Sequence, residues 1–429
     1  MKNKILILFL FIGISTANAK NIVHLLNKMP NVTVTKMENT EGFESTYKLM
    51  VKQPVDHEDE SKGFFYQKVF LSHKGFENTT VIITQGYGIG NNRISELTEL
   101  INGNQINVEH RFFGESIPDS LDYHYLNLKQ ATADLHHIRQ LFDQVYSEKW
   151  ISTGVSKGGA TTVFYRYFYP NDVDISVPYV APINIALEDP RIYQFLDTIG
   201  TDECRMKIRY FQIQVLENRN EVIPVLKTLS EKDNTHYSIL KFDEAFEYAV
   251  MEYPFSFWQY GQSCAEIPDS TATIEEMAKY FNSVSSVNFF SDEIIRDLTP
   301  HYYQSATEMG YYGYETYKFK DYLQELPTDS NPQATFFTFE MNDSFDGTLL
   351  KDVNKWLETN PNRFIYIYGG IDTWTADGVP PRDLENSVWF ILEGKHHGNA
   401  RIKNMNEKDR RRFDNTLMNL FIEFEGSTK

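Results

Sequence analysis

A serine stands in a glycine-rich turn in the first half of the chain. Residues 154–158 read Gly-Val-Ser-Lys-Gly, after a β-prone run, Trp150 to Thr153, and before a helix-compatible stretch. This G-x-S-x-G spacing is typical of a nucleophile elbow, where glycines two positions either side of the serine let a strand and a helix close around it. Ser156 would then present its Oγ at the carboxyl end of the strand. The alternative interpretation is a tight turn with an incidental serine, because so short a pattern also occurs by chance.

A serine hydroxyl becomes a nucleophile only when a base removes its proton, and that base must be oriented by a third group. Asp372 follows one late strand signal, and His397 follows the next. The chain order Ser156, Asp372, His397, with each residue just after a strand, is the order of the triad in α/β-hydrolases. Asp377 is a rival for the role of the acid, and the neighbouring His396 is a rival for the role of the base.

The negative oxygen of an acyl-transfer intermediate needs backbone N–H donors beside the nucleophile. The N–H of Lys157, directly after the serine, is the expected first donor. The second is expected from the loop after an earlier strand, and the glycine-rich turn 85–90 follows the apolar run 81–84. The N–H of Tyr87 is the candidate there, with a simple turn as the alternative. A dinucleotide site is disfavoured, because the glycine spacing is not G-x-G-x-x-G.

Charged and aromatic residues cluster at another strand end. The sequence Glu-His-Arg-Phe-Phe-Gly-Glu-Ser occupies residues 109–116. Its first two charges, Glu109 and Arg111, could pair with each other and brace the site. They could equally contact the substrate, and the sequence leaves both interpretations open.

Strand and helix signals alternate over residues 64–181, which predicts a mostly parallel sheet covered by helices. The rhythm changes over 184–331, which is long, aromatic and largely helical in pattern. One helix is expected over 208–229, broken or kinked at Pro224. Strand signals then return at 334–339, 363–368 and 388–392. The pattern therefore predicts an α/β-hydrolase fold with an inserted helical cap.

The chain of 429 residues begins with a secretory signal pattern. Lys2 and Lys4 precede an apolar run at 5–14, and Ala-Asn-Ala at 17–19 is a cleavage site. We therefore expect a secreted or periplasmic protein whose mature chain begins at Lys20. The expected division is a signal peptide at 1–19, a first hydrolase part at 20–183, the helical cap at 184–331 and a second hydrolase part at 332–429.

Composition argues against several classes of protein. The formal net charge of −18 disfavours nucleic acid as a partner, because phosphate binding needs a basic face. No apolar run after the signal pattern is long enough to span a membrane. Sequence patterns of zinc and calcium sites are missing, so no metal or cofactor is expected. Cys204 and Cys264 could form one disulfide in an oxidising compartment or stay free, and nothing in the sequence indicates an oligomeric state.

Several stretches carry a family resemblance. They are 85–87, 108–116, 150–174, 179–182, 252–260, 370–374 and 397–402. Among them, Glu-His-Arg-Phe-Phe-Gly and Ser-Lys-Gly-Gly are the more specific. Through these stretches the chain resembles the secreted bacterial serine tripeptidyl aminopeptidases, which are often proline-directed. That family is akin to the lysosomal prolyl carboxypeptidase and dipeptidyl peptidase group.

The resemblance implies an α/β-hydrolase with a helical cap between its two halves. It implies Ser156 as nucleophile, Asp372 as orienting acid and His397 as base, since the family histidine stands directly before a glycine. Two departures occur. Thr373 stands where relatives usually have proline, and the histidine is doubled by His396.

An aminopeptidase that releases short peptides must hold the free amine at a fixed distance from the serine, which requires a carboxylate. Glu252 and Glu340 are the candidates, with a solvated or structural glutamate as the alternative for each. Trp258 belongs to the same aromatic motif as Glu252. Its ring would line a pocket for proline or form part of the cap core.

The sequence therefore predicts a secreted serine exopeptidase that acts through an acyl-enzyme. Its substrate is a peptide with a free N-terminus, from which it releases short peptides, tripeptides above all, with proline favoured before the scissile bond. The alternatives are an esterase or lipase on the same scaffold and a catalytically inactive peptide-binding protein.

Overall fold

The computed structural model describes residues 21–360 and 363–427, so the signal peptide predicted at 1–19 lies outside the described residues. The strands are β1 Val32–Lys36, β2 Ser45–Pro54, β3 Phe64–His73, β4 Thr80–Thr84, β5 Asn104–Val108, β6 Trp150–Val155, β7 Ile175–Tyr179, β8 Ile365–Gly369 and β9 Val388–Leu392. The helices are α1 Ile22–Leu26, α2 Glu96–Ile101, α3 Leu128–Phe142, α4 Lys157–Phe168, α5 Pro190–Thr198, α6 Asp202–Glu217, α7 Arg219–Lys232, α8 Phe242–Gln259, α9 Ile274–Val284, α10 Asp292–Gln304, α11 Thr348–Thr359 and α12 Glu407–Ser427. Within the described ranges, none of these helices is long and apolar enough to cross a membrane.

The strands of the described residues form one sheet in the order β1-β2-β3-β5-β4-β6-β7-β8-β9. The pairs from β1 to β3 and the pair β3–β5 are antiparallel. All pairs from β5 to β9 are parallel. The carboxyl ends of β4, β6, β8 and β9 therefore share one edge of the sheet, and the loops after them are neighbours. The predicted α/β-hydrolase fold is confirmed.

Helices cover both faces of the parallel strands. Along β8, Ile365 and Ile367 pack in a cluster with side chains of α2 and α12. Tyr366 and Tyr368 pack in another cluster, with α4 and α11. Successive side chains of a strand point to opposite faces, so the two clusters lie on opposite sides of the sheet. Burial on both faces explains why these strands read as continuous apolar runs.

Helices α5 to α10, which we call the cap region, follow β7 and pack around one aromatic-rich cluster. The segment 331–347 comes next and is irregular, so the strand predicted at 334–339 is wrong. Ala334 and Phe336 are buried in the cluster of the cap region. One side of this segment packs against the helices of the cap region. Such burial gives the same alternating apolar pattern as a strand with one buried face.

The helix predicted over 208–229 is two helices, and the break falls at Asn218 rather than at Pro224. Asn218 ends α6 and precedes α7, and its Nδ2 donates to the Gln214 carbonyl at 2.8 Å. That carbonyl lies in the last turn of α6 and also accepts from the Asn218 backbone N–H at 3.1 Å, so Asn218 caps the end of the helix with both of its donors. Pro224 lies inside α7.

Cys204 and Cys264 form a disulfide, with their Cα atoms 5.5 Å apart. The bond joins the first turn of α6 to the loop that follows α8. Of the two states that the sequence left open, the structure contains the bridged one.

Candidate active site

Ser156 lies at the sharp turn between β6 and α4. Its backbone has φ 59° and ψ −128°, a conformation that residues other than glycine rarely adopt. A Cβ on Gly154 or Gly158 would lie 2.5 Å from the Thr84 carbonyl oxygen, so both positions require glycine. The Ser156 N–H donates to the Tyr179 carbonyl at 2.9 Å, which holds the strained turn against β7. The turn therefore has the geometry expected of a nucleophile elbow.

Asp372 and His397 come together after β8 and β9. His397 Nδ1 lies 2.8 Å from Asp372 Oδ2, and the Asp372 side chain is fully buried. Asp372 Oδ1 also accepts from the Trp374 N–H at 3.2 Å. A neutral imidazole that donates from Nδ1 keeps Nε2 as an acceptor, and Nε2 is the nitrogen that takes a serine proton in a triad.

His396 and Asp377, the rivals for the roles of base and acid, lie in different surroundings. His396 Nδ1 accepts from the Gly398 N–H at 3.2 Å. Asp377 is buried, and neither of its carboxyl oxygens has a hydrogen-bond partner among the described residues. Burial raises the pKa of Asp377 well above its ordinary value, and the Asp189 carboxylate adds to the shift. A carboxyl group held neutral is poorly suited to stabilise an imidazolium.

The two predicted oxyanion donors belong to backbone segments in direct contact. Lys157 is the first residue of α4. A Cβ on Gly86 would lie 2.6 Å from the Lys157 Cβ and 2.9 Å from the Gly158 nitrogen, so the turn after β4 rests on the start of α4. Tyr87 follows in that turn, and its carbonyl accepts from the His110 N–H at 3.3 Å. The two segments are therefore in contact with each other next to the Ser156 turn.

Glu109 and Arg111 do not pair with each other, so the ion pair considered from the sequence is wrong. The Arg111 guanidinium forms a two-pronged pair with Asp134, with both N–O distances 2.7 Å. Glu109 Oε1 lies 2.9 Å from Lys68 Nζ, and its Oε2 accepts from the Ser116 hydroxyl at 2.7 Å. A buried guanidinium prefers a carboxylate that it can meet with two parallel bonds, and Asp134 on α3 supplies one.

Glu252 lies in the middle of α8 and is buried in the cap region. Its Oε2 accepts from the hydroxyls of Tyr312 and Tyr314, both at 2.9 Å. Its Oε1 accepts from the Ser256 hydroxyl at 3.0 Å. Burial raises the pKa of Glu252 to about 7, although these three hydrogen bonds act in the opposite direction. The group therefore changes charge near neutral pH.

Helix α8 connects Glu252 with the residues after β8 and β9. The carbonyl of Gln259, at the end of α8, accepts from the His397 N–H at 3.1 Å. The Phe255 carbonyl accepts from the Thr373 hydroxyl at 2.9 Å. Thr373 directly follows Asp372, and its hydroxyl makes a contact with α8 that a proline at this position could not make.

The two other predicted substrate residues lie apart. Glu340 is exposed on the irregular segment after the cap region. Trp258 is 7% exposed and lines a cavity of about 550 Å³ in the cap region. Tyr312 and Tyr314 line the same cavity and also bond the Glu252 carboxylate. Two hydroxyl partners of Glu252 therefore line the cavity, whereas neither Glu252 itself nor any of the three triad candidates is among its lining residues.

Tyr312 and Tyr314, the hydroxyl partners of Glu252, were not predicted from the sequence. Their spacing, with one glycine between them, puts both side chains on the same face of an extended segment and is the only local signal. Tyr312 also stacks on Phe255 with ring centroids 4.2 Å apart. Among the described residues, no group of three or more His, Cys, Asp or Glu side chains could hold a metal ion.

Comparisons with known proteins cover most of the chain. Residues 16–411 match the sequence profile of the PS-10 peptidase S37 family. A prolyl tri/tetrapeptidyl aminopeptidase of Streptomyces mobaraensis is 30% identical over 395 residues, which are 89% of this chain and 81% of that protein. The "Probable serine protease EDA2" of Arabidopsis thaliana is 22% identical over 281 residues, 59% of this chain and 56% of that protein. Among solved structures, a proline iminopeptidase of Mycobacterium smegmatis aligns with 11% identity and a TM-score of 0.44, over 87% of this chain and 99% of the other.

Proposed function

Because this chain belongs to the PS-10 peptidase S37 family, we propose that it is a serine exopeptidase that releases tri- or tetrapeptides from free N-termini, with proline favoured before the scissile bond. The Streptomyces relative, which is named for this specificity, supports the proposal. The observation that carries it is the 2.8 Å hydrogen bond between His397 and Asp372, on the sheet edge that also holds the Ser156 turn. Activation of a serine hydroxyl needs these three groups together.

In the proposed reaction, Ser156 Oγ attacks the scissile carbonyl carbon while His397 Nε2 takes the hydroxyl proton. Asp372 orients the imidazole and stabilises the imidazolium that forms. The N–H groups of Lys157 and Tyr87 donate to the negative oxygen of the tetrahedral intermediate. His397 then passes the proton to the leaving amine, and a water molecule, with His397 as its base, hydrolyses the acyl-enzyme.

The proposed product length follows from helix α8. Glu252 precedes Gln259 by about two helical turns, about 10 Å at a rise of 1.5 Å per residue. An extended tripeptide spans about 10 Å at 3.3–3.6 Å per residue. The Glu252 carboxylate would hold the substrate ammonium while the third residue reaches the serine. Glu340 is the alternative anchor.

The proposed substrate pocket involves the helical insertion. Residues 184–331 would act as a cap between the hydrolase parts 20–183 and 332–429. Trp258 would belong to the surface that receives proline, since it directly precedes Gln259, whose carbonyl contacts the His397 backbone. A rigid proline ring packs well on the apolar face of an aromatic side chain.

The proposed location is outside the cytoplasm. The signal pattern predicts cleavage before Lys20 and export to the periplasm or the medium. The disulfide between Cys204 and Cys264 supports this proposal, because structural disulfides persist in oxidising compartments.

Chromogenic peptides test the proposed function. The wild type should hydrolyse an Ala-Ala-Pro amide with a free amine about tenfold or more faster than its N-acetylated form, because a charge-assisted hydrogen bond to the ammonium is lost on acetylation. A Gly-Pro amide should be cleaved more slowly, since it is too short to span the distance from the anchor. Ser156→Ala should lower kcat by about 10⁴-fold or more.

Three outcomes would contradict parts of the proposal. Equal cleavage of the free and acetylated peptides would rule out an exopeptidase. A preference for a short acyl ester over both peptides would favour an esterase. Activity that survives in Ser156→Ala would rule out the mechanism.

A further inference from the structure

The Lys157 side chain is buried although it ends in an ammonium group. It is 2% exposed, and its Nζ has no hydrogen-bond partner among the described residues. Burial lowers the pKa of Lys157 to about 7, and the Glu308 carboxyl partly offsets this shift. An ammonium that loses hydration without gaining hydrogen bonds destabilises a fold. Stability alone would therefore favour an apolar side chain of similar length here.

Aromatic rings surround this ammonium. The Lys157 Nζ lies 5.2 Å from the ring centroid of Tyr87 and 4.8 Å from that of Phe113. Both distances fall within the range of about 6 Å for cation–π attraction. The two rings meet edge to face at 5.7 Å, so they form one continuous surface beside the Nζ. The ammonium therefore links the turn after β4 to the loop after β5.

The stem of the same side chain supports the turn that carries Tyr87. A Cβ on Gly86 would lie 2.6 Å from both the Cβ and the Cγ of Lys157, so the backbone of the turn rests on the lysine stem. Two consecutive residues of this turn are thus in contact with Lys157. The backbone N–H of Lys157 is itself the other proposed oxyanion donor.

Four titratable side chains face Lys157 from the elements around it. They are Tyr87 after β4, His110 after β5, His301 on α10 and Glu308 after α10. Burial, with the Lys157 charge contributing, lowers the pKa of His110 to about 3 and that of His301 well below its ordinary value. Burial raises the pKa of Glu308 to about 8. All four shifts favour the uncharged forms of these neighbours, so the ammonium of Lys157 is the charged group of this cluster.

We propose that the Lys157 side chain is a positioning residue for the oxyanion hole, which fixes the Tyr87 N–H relative to the Lys157 N–H. The aliphatic stem supports the backbone at Gly86, and the ammonium holds the rings of Tyr87 and Phe113 beside it. This inference rests on the proposed serine peptidase function. Donors held in place before the oxyanion forms stabilise the transition state most, and a less stable fold is a common accompaniment of such a site.

Lys157→Met tests the inference, because methionine keeps most of the stem and removes the ammonium. The kcat for the free Ala-Ala-Pro amide should fall by about 10- to 100-fold, with KM changed by about twofold or less. The midpoint of thermal unfolding should stay the same or rise. A tripeptide aldehyde that ends in prolinal forms an oxyanion adduct with the serine, and its affinity should fall by a similar factor to kcat. The affinity of the free product tripeptide should not change.

Lys52→Met is the matched control, since the Lys52 Nζ lies 3.8 Å from the ring centroid of Phe64 on strands β2 and β3. It should leave kcat and aldehyde affinity unchanged. If Lys157→Met does not fold, Phe113→Leu removes one ring without altering the lysine and should also lower kcat and aldehyde affinity at unchanged KM.

Unchanged kcat and aldehyde affinity in Lys157→Met would overturn the inference, as would a loss of kcat matched by an equal loss of product affinity and a lower unfolding midpoint. In the absence of folded Lys157→Met, unchanged kcat in Phe113→Leu would overturn it. Failure of the proposed function looks different. A wild type that cleaves no peptide, or a Ser156→Ala variant that keeps activity, would overturn both proposals.

Discussion

Glu252 changes its charge over a pH range that its buried environment determines. Its pKa is about 7 in the folded protein against an ordinary 4.5, so the folded chain retains a proton that the unfolded chain releases. The contribution of this group to the free energy of unfolding is therefore present below about pH 4.5 and is lost as pH rises to about 7. Above that range the group is a carboxylate, the form that attracts a substrate ammonium.

Glu252→Gln should raise the KM of the free Ala-Ala-Pro amide by about 10- to 100-fold, because a hydrogen bond between charged groups contributes about 1.5–3 kcal/mol. In the wild type, KM should fall as pH rises through about 7, and the variant should lack this component. Steady-state kinetics between pH 5.5 and pH 8.5 would measure both. Glu340→Gln is the matched control, and a larger effect on KM there would assign the anchor to Glu340.

Helix α8 continues through a proline to reach the candidate active site. Pro254 has no N–H, so the Val250 carbonyl, one turn earlier, loses its helical donor. Gln212 on α6 replaces it, because its Nε2 donates to the Val250 carbonyl at 2.7 Å. The replacement lets α8 carry Glu252 in its middle and still end in contact with His397.

Gln212→Met should lower the free energy of unfolding by about 1–3 kcal/mol, because it leaves a buried carbonyl without a donor. Urea denaturation followed by tryptophan fluorescence would measure the change. Gln214→Met on the same helix is the control, since the Gln214 Nε2 bonds the exposed Glu217 carboxylate at 3.1 Å. That change should stay within about 0.5 kcal/mol. Equal effects of the two substitutions would contradict the role given to Gln212.

Across the whole molecule, one set of contacts connects the cap region to the helices that cover the sheet, and another connects parts of the cap region to each other. Glu308, which follows α10, accepts through its Oε1 from the Leu128 N–H at 2.7 Å, at the N-terminus of α3. Within the cap region, the disulfide between Cys204 and Cys264 closes a segment that contains α7 and α8. The helix that carries Glu252 therefore lies inside a covalent loop.

The double variant Cys204→Ala, Cys264→Ala should lower the free energy of unfolding by about 4 kcal/mol, the loop-closure estimate for a separation of 60 residues. A thiol reductant should lower the urea midpoint of the wild type and leave that of the variant unchanged. A wild-type midpoint that does not respond to reductant, after the thiols are shown to be free, would contradict this prediction.

Features that depend on neighbours along the chain were predictable from the sequence. The glycines around Ser156 indicated a sharp turn, because backbone strain and close approach are decided within five residues. The continuous apolar runs indicated strands covered on both faces. Parallel strands bring their carboxyl ends to one edge, so Asp372 and His397 could be expected near each other, and the structure gives them a hydrogen bond. Their catalytic roles stay a prediction.

The partners of buried polar groups were decided only by the tertiary structure. Arg111 pairs with Asp134 rather than with Glu109, Glu252 takes hydroxyls from a later segment, and Lys157 lies beside aromatic rings. The spacing of apolar residues indicates that one side of a segment is buried, but not which element lies against it. For the same reason the strand predicted at 334–339 was wrong. A buried polar group interacts with whichever partner packing brings within reach, about 3 Å for a hydrogen bond and about 6 Å for an aromatic ring. For these residues that partner comes from a different element of the fold.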